Sequence, residues 1–370
     1  MDRDFTQLLI ALNSAMKYNS TAAKMLIDNY NSLEAIFNLS EEELSNLFGK
    51  RYAFFDELKK KEHYQNAKSE YMWCKREGIE ILSPYLNNKS YPNRMLNCYD
   101  YPILIYKKGE VDLNRDRIIS IVGTRRSTQY GQYICEKIVE DIYTLDKDII
   151  IVSGLAFGTD INVHKCSLKR GITNIAVLAC GLDKIYPTQH SKYIKDICKN
   201  GAIISEYPRE TQNMKINFLK RNRIIASLSD ITIIIESAQS GGARITAQLA
   251  NTYNRSVYAV PGRLNDILSL GCIDLISNNQ AEIYCSAKKI FDNQNWEITK
   301  GDLLFNNNGH YEQNSEKRKI LVALSTNSDL SIDNLSQRCG VSVKELYPAL
   351  LELELEGRIG SNKERYYLKN

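Results

Sequence analysis

Three turns in the sequence combine glycine with hydroxyl-bearing side chains directly before a helix-like stretch. They are Val122-Gly-Thr-Arg-Arg-Ser127, Ser153-Gly-Leu-Ala-Phe-Gly-Thr-Asp160 and Ser240-Gly-Gly-Ala-Arg-Ile-Thr246. Small residues let backbone amides approach a phosphate, and the N-terminus of a helix adds partial positive charge. Each turn alone could be a simple tight bend, but three of them on one sheet edge predict an anion-binding site.

A basic segment, Lys215–Arg223, indicates which anion is bound. It carries Lys215, Lys220, Arg221 and Arg223 around the single aromatic residue Phe218. Basic grooves with aromatic rings hold single-stranded nucleic acids, and each stacked base contributes roughly 1–3 kcal/mol. Such a run can also be a solvated surface, but its place beside the glycine turns favours binding. Two further cations, Arg125 and Arg126, are expected on the same edge.

The motifs of nucleotide cofactors are missing. A dinucleotide site needs GxGxxG after the first strand and an acidic residue after the second. Here Gly123 has no glycine partner before Gly131, and the second strand ends in Ser153-Gly154. GxxxxGK[ST], the P-loop pattern, is also absent. We therefore predict no cofactor.

Catalytic constellations are equally sparse. GxSxG and HExxH do not occur, and the four histidines show no metal-ligand spacing. Asp160 and His164 are four residues apart, but a helix-starting aspartate and a packed histidine explain them. Glu206 and Glu236 end two strands without an evident nucleophile or metal partner. We predict a non-enzymatic protein with no catalytic residue and no metal site.

Alternating strands and helices position these turns. Near-continuous apolar runs predict strands, with helix-like stretches such as Gly131–Tyr143 and Ile245–Tyr253 between them. The predicted strands are Ile118–Val122, Ile149–Ser153, Ile175–Ala179, Ala202–Ser205, Ile231–Glu236 and Val257–Val260. This pattern predicts an α/β fold with an extended Rossmann-like, doubly wound parallel sheet, in which ligands bind beyond the carboxyl ends of the strands.

Two smaller units are predicted to flank the sheet. Residues 1–70 have helical periodicity, with Ser40 and Glu43 as a capping box, and predict a small helical domain. The Rossmann-like domain follows over 71–290, and an Asn-rich linker over 291–311. Residues 312–370 give helix, turn, helix and ribbon, with helices near Ile332–Arg338 and Val343–Glu356, a Ser342/Glu345 capping box and a wing near Arg365–Leu368. This order predicts a winged helix.

The overall composition limits the partners and the cellular compartment that we expect. The 370 residues carry a net charge of +4 and a pI near 8.4, which permits a polyanionic partner without requiring one. Nine cysteines without a CxxC pair are typical of free thiols in a reducing compartment. No apolar run is long enough to span a bilayer. We expect a cytoplasmic protein that does not contact a membrane.

Ordered sequence blocks across residues 90 to 285 resemble the DNA-processing protein A family (DprA, also called Smf). Besides the first two turns, they are Tyr130-Gly131, His164, Gly181-Leu-Asp-Lys-Ile-Tyr-Pro187, Ser205-Glu-Tyr-Pro208, Phe218-Leu-Lys-Arg-Asn-Arg-Ile-Ile225, Ser240-Gly241, Ile245-Thr246-Ala247 and Ala259-Val-Pro-Gly262. The resemblance implies a homodimer that binds single-stranded DNA, protects incoming strands during natural transformation and helps load the RecA recombinase.

The resemblance also implies a set of DNA-contacting residues. By position they are Gly123, Arg125, Ser153, Gly154, Gly158, Phe218, Arg221, Asn222, Arg223, Ser240, Gly241 and Thr246. To these the charge pattern adds Arg126, Lys215, Lys220 and Arg244. Three departures from the family pattern stand out: Phe157 replaces the usual arginine, Leu219 replaces a proline, and the fifth strand is followed by Ser-Gly-Gly-Ala-Arg. Arg244 is a candidate to restore the missing charge.

Two further hypotheses follow from the sequence. A nucleoside-monophosphate phosphoribohydrolase on a related scaffold is the alternative function, because Glu236 precedes a glycine-rich turn, although the Pro-Gly-Gly-x-Gly-Thr block of those enzymes is missing.

The second helix of the winged unit carries one lysine and four glutamates, Glu345, Glu352, Glu354 and Glu356. That acidic surface predicts docking to protein rather than DNA, so deleting 312–370 should leave strand affinity nearly intact.

Overall fold

The computed structural model describes residues 3–49, 55–86, 90–212, 214–298, 316–325, 329–355, 358–362 and 365–368. The chain divides into two compact units, Met1–Gly301 and Asp302–Asn370. Among the described residues, no helix combines the length and the apolar character needed to cross a bilayer.

In the described residues, the N-terminal part of the first unit contains the helices α1 (Arg3–Ala15), α2 (Ser20–Asn29), α3 (Leu33–Asn38), α4 (Glu41–Phe48), α5 (Phe55–Leu58) and α6 (Glu62–Arg76). The capping box of Ser40 and Glu43 at the start of α4 is confirmed. Leu9 and Leu12 of α1 share one hydrophobic cluster with Ala176 and Ile203 of the sheet. These helices therefore pack onto the sheet, and α6 runs past the boundary predicted at residue 70.

Within the described part of the chain, nine strands form the central sheet, in the order β1-β2-β6-β5-β4-β3-β7-β8-β9. They are β1 (Glu80–Leu82), β2 (Ile105–Lys108), β3 (Ile118–Val122), β4 (Ile150–Ser153), β5 (Asn174–Val177), β6 (Ala202–Ser205), β7 (Ile231–Ile234), β8 (Ser256–Ala259) and β9 (Glu282–Ile283). Strands β3 to β9 pair in parallel, as predicted for β3 to β8. Strand β9 has only two residues and was not predicted. Strands β1 and β2 run antiparallel at one edge and were not predicted, since their short segments lie among prolines.

Helices cover both faces of the sheet. They are α7 (Asn93–Leu96), α8 (Gln129–Leu145), α9 (Thr159–Arg170), α10 (Ile194–Lys199), α11 (Lys215–Leu228), α12 (Gly242–Thr252), α13 (Leu270–Ser277) and α14 (Ala287–Asn293), with a 3-10 turn at Thr188–Tyr193. Because side chains alternate along a strand, Ile119 and Ile121 pack with α8 and α14, whereas Ile118 and Val122 pack with α11 and α12. The doubly wound architecture is confirmed.

The predicted linker begins inside this fold. Phe291 of α14 is completely buried beneath the sheet, and its ring contacts Trp296 edge-on at 5.4 Å. The linker predicted from residue 291 therefore starts too early, because a short amphipathic helix in a polar context gave a weak periodic signal. Residues 299–311 lie outside the described part of the chain.

The second unit has the predicted winged-helix pattern. It contains α15 (Glu316–Ser325), β10 (Leu330–Ser331), α16 (Ile332–Cys339), α17 (Val343–Leu355), β11 (Ile359–Asn362) and β12 (Arg365–Leu368). Strands β11 and β12 form the antiparallel wing. Leu346, Leu350 and Leu353 of α17 are buried in its core. The Glu345 carboxylate accepts hydrogen bonds from the backbone and hydroxyl of Ser342, as expected at the start of α17.

Candidate nucleic-acid interface

A cleft of about 220 Å³ opens at the carboxyl edge of the parallel strands, where β3 lies between β4 and β7. Connections leave β3 and β7 toward opposite directions of the sheet at this point, and such switch points are the usual ligand sites of open α/β sheets. The lining consists of Val122, Gly123, Thr124, Arg125, Ala156, Asp160, Phe218, Leu219, Arg221, Asn222, Ile225, Ser237, Ala238, Gly241, Gly242, Ala243 and Thr246. Residues from all three predicted glycine turns therefore meet there.

Helix α11 delivers its cleft residues from one side. Phe218, Arg221, Asn222 and Ile225 are spaced by three, one and three residues, which places them on one face of a helix. The Asn222 side-chain amide donates to the carbonyl of Gly242 at 3.3 Å, which ties α11 to the first turn of α12. Of the four cations in the basic segment, only Arg221 therefore lines the cleft.

Arg221 forms the buried part of the cleft lining. Its Nη1 donates to the carbonyls of Gly154 at 2.5 Å and Val177 at 2.6 Å, at the ends of β4 and β5. Only 4% of the residue is exposed. A side chain at Gly154 would overlap the Arg221 guanidinium, so glycine is required there for a close approach. Gly154 supports the cleft without lining it.

Asp160 lies opposite this arginine. Burial raises the pKa of the Asp160 carboxyl, while the nearby Arg221 and a hydrogen bond from the Ala156 amide act against that rise. Burial likewise lowers the pKa of Arg221, and Asp160 opposes that effect. The pair therefore limits how positive the buried part of the cleft is. Sequence reasoning assigned Asp160 only a helix-starting role and missed its place in the lining.

Arg125 supplies exposed positive charge at the mouth of the cleft. Its guanidinium carbon lies 4.9 Å from the centre of the Phe218 ring, within cation–π range. The turn that carries it packs against the second glycine turn. Gly158 there has a φ of +72° and a side chain on it would overlap the Thr124 carbonyl, so only glycine fits. The Thr159 amide donates to that carbonyl at 3.1 Å. This packing fixes the direction of the Arg125 backbone.

The N-terminus of α12 forms the opposite wall. Gly241 is the N-cap, and Gly242 and Ala243 form the first turn, whose amides have no partner within the helix. Such amides and the helix dipole favour an anion. Thr246, one turn further, is buried and lines the cleft. Ser240 is exposed just before the N-cap and does not line it.

Two predicted DNA-contacting arginines are directed elsewhere. Arg223 lies two residues after Arg221, and a helix turns about 200° over that spacing. Its guanidinium is buried in an ion pair with Glu206 and donates to the carbonyl of Asp100 at 2.7 Å. Burial acts to lower the pKa of Arg223, but Glu206 together with Asp100 and two tyrosines outweighs it, so the pKa is raised. Arg223 joins α11 to neighbouring segments and is not brought to the cleft.

Arg244 is the second such arginine. It forms an ion pair with Asp274 of α13 and donates to the carbonyl of Gln239 at 2.6 Å. Its charge is therefore neutralised beside the cleft, and the hypothesis that it replaces the charge missing at Phe157 is not supported by the geometry.

The remaining predicted residues lie around the cleft or below it. Ser153 is completely buried and its hydroxyl donates to the carbonyl of Ile121 at 2.7 Å, so it joins two strands. Arg126 and Lys215 are exposed and Lys220 is half-buried, none of them in the lining. Two of them adjoin lining residues in the chain: Arg126 follows Arg125, and Lys220 precedes Arg221.

The carboxylates considered as catalytic groups have structural partners. Glu236 accepts from the amide and hydroxyl of Thr128 and so occupies the N-terminus of α8. Burial lowers the pKa of His164 to about 4, and its Nδ1 contacts the Asn174 side chain at 2.9 Å rather than Asp160. Among the described residues, no group of three or more His, Cys, Asp or Glu side chains is placed to hold a metal ion.

The sequence is similar to those of known proteins. The sequence model described as DNA recombination-mediator protein A matches residues 84–295, and the DprA winged-helix domain matches residues 311–362. DNA processing protein DprA of Bacillus subtilis is 36% identical over 219 residues, which cover 59% of this chain and 72% of that protein.

Two solved structures are similar to this one. DprA of Streptococcus pneumoniae is 29% identical with a TM-score of 0.63, covering 76% of this chain and 95% of that chain. DprA of Helicobacter pylori, described for its mode of single-stranded DNA binding, is 29% identical with a TM-score of 0.52, covering 58% of this chain and 95% of that chain. Together with the sequence matches, these similarities confirm the resemblance seen in the motifs. The chain belongs to the DNA recombination-mediator protein A family, also known as DprA or Smf.

Proposed function

We propose that this chain binds single-stranded DNA at the carboxyl edge of its sheet and acts as a recombination mediator. The observation that carries this proposal is the pair of exposed Arg125 and half-buried Phe218 at the mouth of a cleft whose far wall is the N-terminus of α12. A cation and helix amides suit phosphates, and an adjacent ring suits an unpaired base. A flexible polynucleotide offers both groups at every step.

In this proposal, phosphates lie between Arg125 and the first amides of α12. The buried Arg221 adds long-range positive charge, moderated by Asp160. Flanking cations, Arg126 and Lys215, extend the attraction along the strand. The contacts to sugar-phosphate carry no sequence information, so we expect sequence-tolerant binding that weakens as salt rises.

Membership of the family supports a wider role. We propose that the chain acts as a homodimer that protects incoming strands in natural transformation and helps load the RecA recombinase, and that it does so without cleaving DNA. For the winged unit we propose docking to protein. The exposed apolar side chains Tyr347, Leu351 and Leu355 of α17, at helical spacing of four, support that role alongside the acidic residues.

The geometry favours binding over phosphoribohydrolase activity. Such an enzyme needs a carboxylate beside the sugar. Glu236, the candidate from the sequence, is buried and engaged by Thr128, and Asp160 in the cleft lining is buried near Arg221. Release of free base from a nucleoside monophosphate by the purified chain would support the enzyme instead.

A gel-shift titration tests the proposal. The full chain is titrated against single-stranded and double-stranded oligonucleotides of one sequence at several salt concentrations, with and without RecA. We expect preferential binding of the single strand, weakened by salt, and a ternary complex when RecA is added. Equal binding of both forms, or none, would contradict the proposal.

A further inference from the structure

A group of partly exposed aromatic side chains lies beside the cleft and is not explained by phosphate binding. Phe157 follows β4, Tyr186 follows β5 and Phe218 follows β6, the three strands that lie side by side next to the cleft. Phe157 and Tyr186 are each 42% exposed. Carboxyl ends of adjacent parallel strands lie along one edge, so these rings share a surface with the cleft.

Contacts between rings hold this surface in place. The Tyr186 ring meets Phe218 edge-on, with centroids 5.6 Å apart. The Phe157 ring meets His190 edge-on at 5.0 Å. His190 is itself buried, and its Nδ1 donates to the carbonyl of Leu155 at 2.7 Å, which fixes the support under Phe157. Two rings are therefore ordered by neighbours and still open to solvent.

Phe218 connects the aromatic surface to the cleft. It lines the cleft, its ring centre lies 4.9 Å from the Arg125 guanidinium carbon, and its ring also contacts Tyr186. Two exposed apolar side chains are close to Phe218 along the chain: Leu219 follows it directly, and Met214 lies four residues before it at the start of α11. A strand whose phosphates enter the cleft would carry its bases past this surface, because base and phosphate alternate with each nucleotide.

We propose that Phe157 and Tyr186 form an aromatic shelf on which unpaired nucleobases stack, next to the phosphate cleft. The inference rests on the proposed function and extends it to the bases. Ring stacking accepts every base, so the shelf adds affinity without reading sequence. It also excludes duplex DNA, since paired bases are already stacked on one another.

Abasic DNA separates the shelf from the cleft. The full chain is titrated against oligothymidylate and against an abasic deoxyribose-phosphate strand of equal length, at one salt concentration. The variants are Phe157→Ala, Tyr186→Ala and Tyr186→Phe, which keeps the ring. Tyr99→Ala is the matched control, because Tyr99 is 62% exposed and contacts Tyr253, which precedes β8 at the opposite edge of the sheet. Melting temperature checks folding.

We expect the wild-type chain to bind oligothymidylate more tightly than the abasic strand. Each alanine variant of the shelf should weaken oligothymidylate binding by about fivefold or more, the range for one stacked base. Binding of the abasic strand should not change. Tyr186→Phe and Tyr99→Ala should behave as wild type.

Two results would overturn the shelf. One is equal wild-type affinity for base-bearing and abasic strands. The other is a shelf variant that loses affinity for both strands equally, which would mark the rings as supports of the cleft. In either case the binding of phosphates, and with it the proposed function, still stands. Absence of binding to both strands by the wild-type chain would instead refute the proposed function itself.

Discussion

Replacing Arg125 with alanine removes the exposed charge at the mouth of the cleft while leaving the fold intact. The side chain is exposed, and its guanidinium lies over the face of Phe218. Its charge attracts the buried Asp160 and repels the buried Arg221, and these two effects oppose each other. The buried Arg221 keeps its two carbonyl hydrogen bonds, so the lining should not collapse. We therefore expect an effect on DNA affinity with little change in melting temperature.

The size of the effect follows from counterion release. Each neutralised phosphate of a single strand contributes about 0.7 to the slope of log affinity against log salt. Losing one such contact lowers affinity by about fivefold at 0.1 M salt and by about 25-fold at 0.01 M. The salt slope itself should fall by about 0.7. Loss of the cation–π contact with Phe218 adds a smaller decrease that does not depend on salt.

Fluorescence anisotropy with labelled oligothymidylate across a salt series measures both quantities. Arg244→Ala is the matched control: it deletes the same charge, but its partner is Asp274, so the slope should stay at the wild-type value. An Arg125 variant with an unchanged slope would refute the placement of phosphate at this residue. So would an Arg244 variant that lost as much affinity.

Other substitutions test the supporting structure. Gly154→Ala should displace Arg221 and weaken strand binding in the same assay by less than the roughly fivefold loss of a direct phosphate contact at 0.1 M salt, and unchanged affinity would show that Arg221 does not contribute. Arg223→Met should cost about 3–5 kcal/mol in urea unfolding because it leaves Glu206 buried without a partner, and adding Glu206→Leu should recover most of that loss. Burial raises the pKa of Glu70 to about 7, from an ordinary value near 4.5, so the folded chain holds a proton that the unfolded chain releases. The contribution of Glu70 to stability should therefore fall as pH rises from about 4.5 to about 7. In the Glu70→Gln variant, the melting temperature should depend less on pH across that range than in the wild-type chain.

The parallel sheet was predictable because its strands are buried on both faces. The runs Ile118–Val122 and Ile231–Ile234 are continuous apolar segments with helical stretches between them. Few fold architectures other than a parallel sheet covered on both faces fit this pattern. Strands β1 and β2 escaped prediction, because an antiparallel edge of three or four residues carries no comparable signal. The same limit explains α14, whose two turns follow a polar stretch.

The location of the site at the carboxyl edge of the sheet was predictable, but the individual residues that line it were not. Glycine turns and a basic segment identified the carboxyl edge, where Arg125, Phe218 and Arg221 meet. We predicted that all cations of the basic segment share one surface. Successive residues of α11 are rotated by about 100°, so Arg223 lies on the side of the helix opposite to Arg221. Partners far along the chain decide the rest: Asp274 neutralises Arg244, and only the folded chain brings them together.

The contact of Tyr186 with Phe218 could not be predicted from the sequence. It was noted only as part of a family block, and nothing in its neighbourhood predicts contact with Phe218, 32 residues later. Contacts between loops that follow adjacent strands depend on strand order. That order becomes known only when the sheet is seen.

The central claim is that a single strand lies along the carboxyl edge of the sheet, and a crystal structure of the full chain with oligothymidylate tests it most directly. The account predicts a phosphate within hydrogen-bond distance of the Arg125 guanidinium and the first-turn amides of α12, with bases beside Phe218. A strand bound to the winged unit or to the amino edge of the sheet, with the cleft empty, would contradict it.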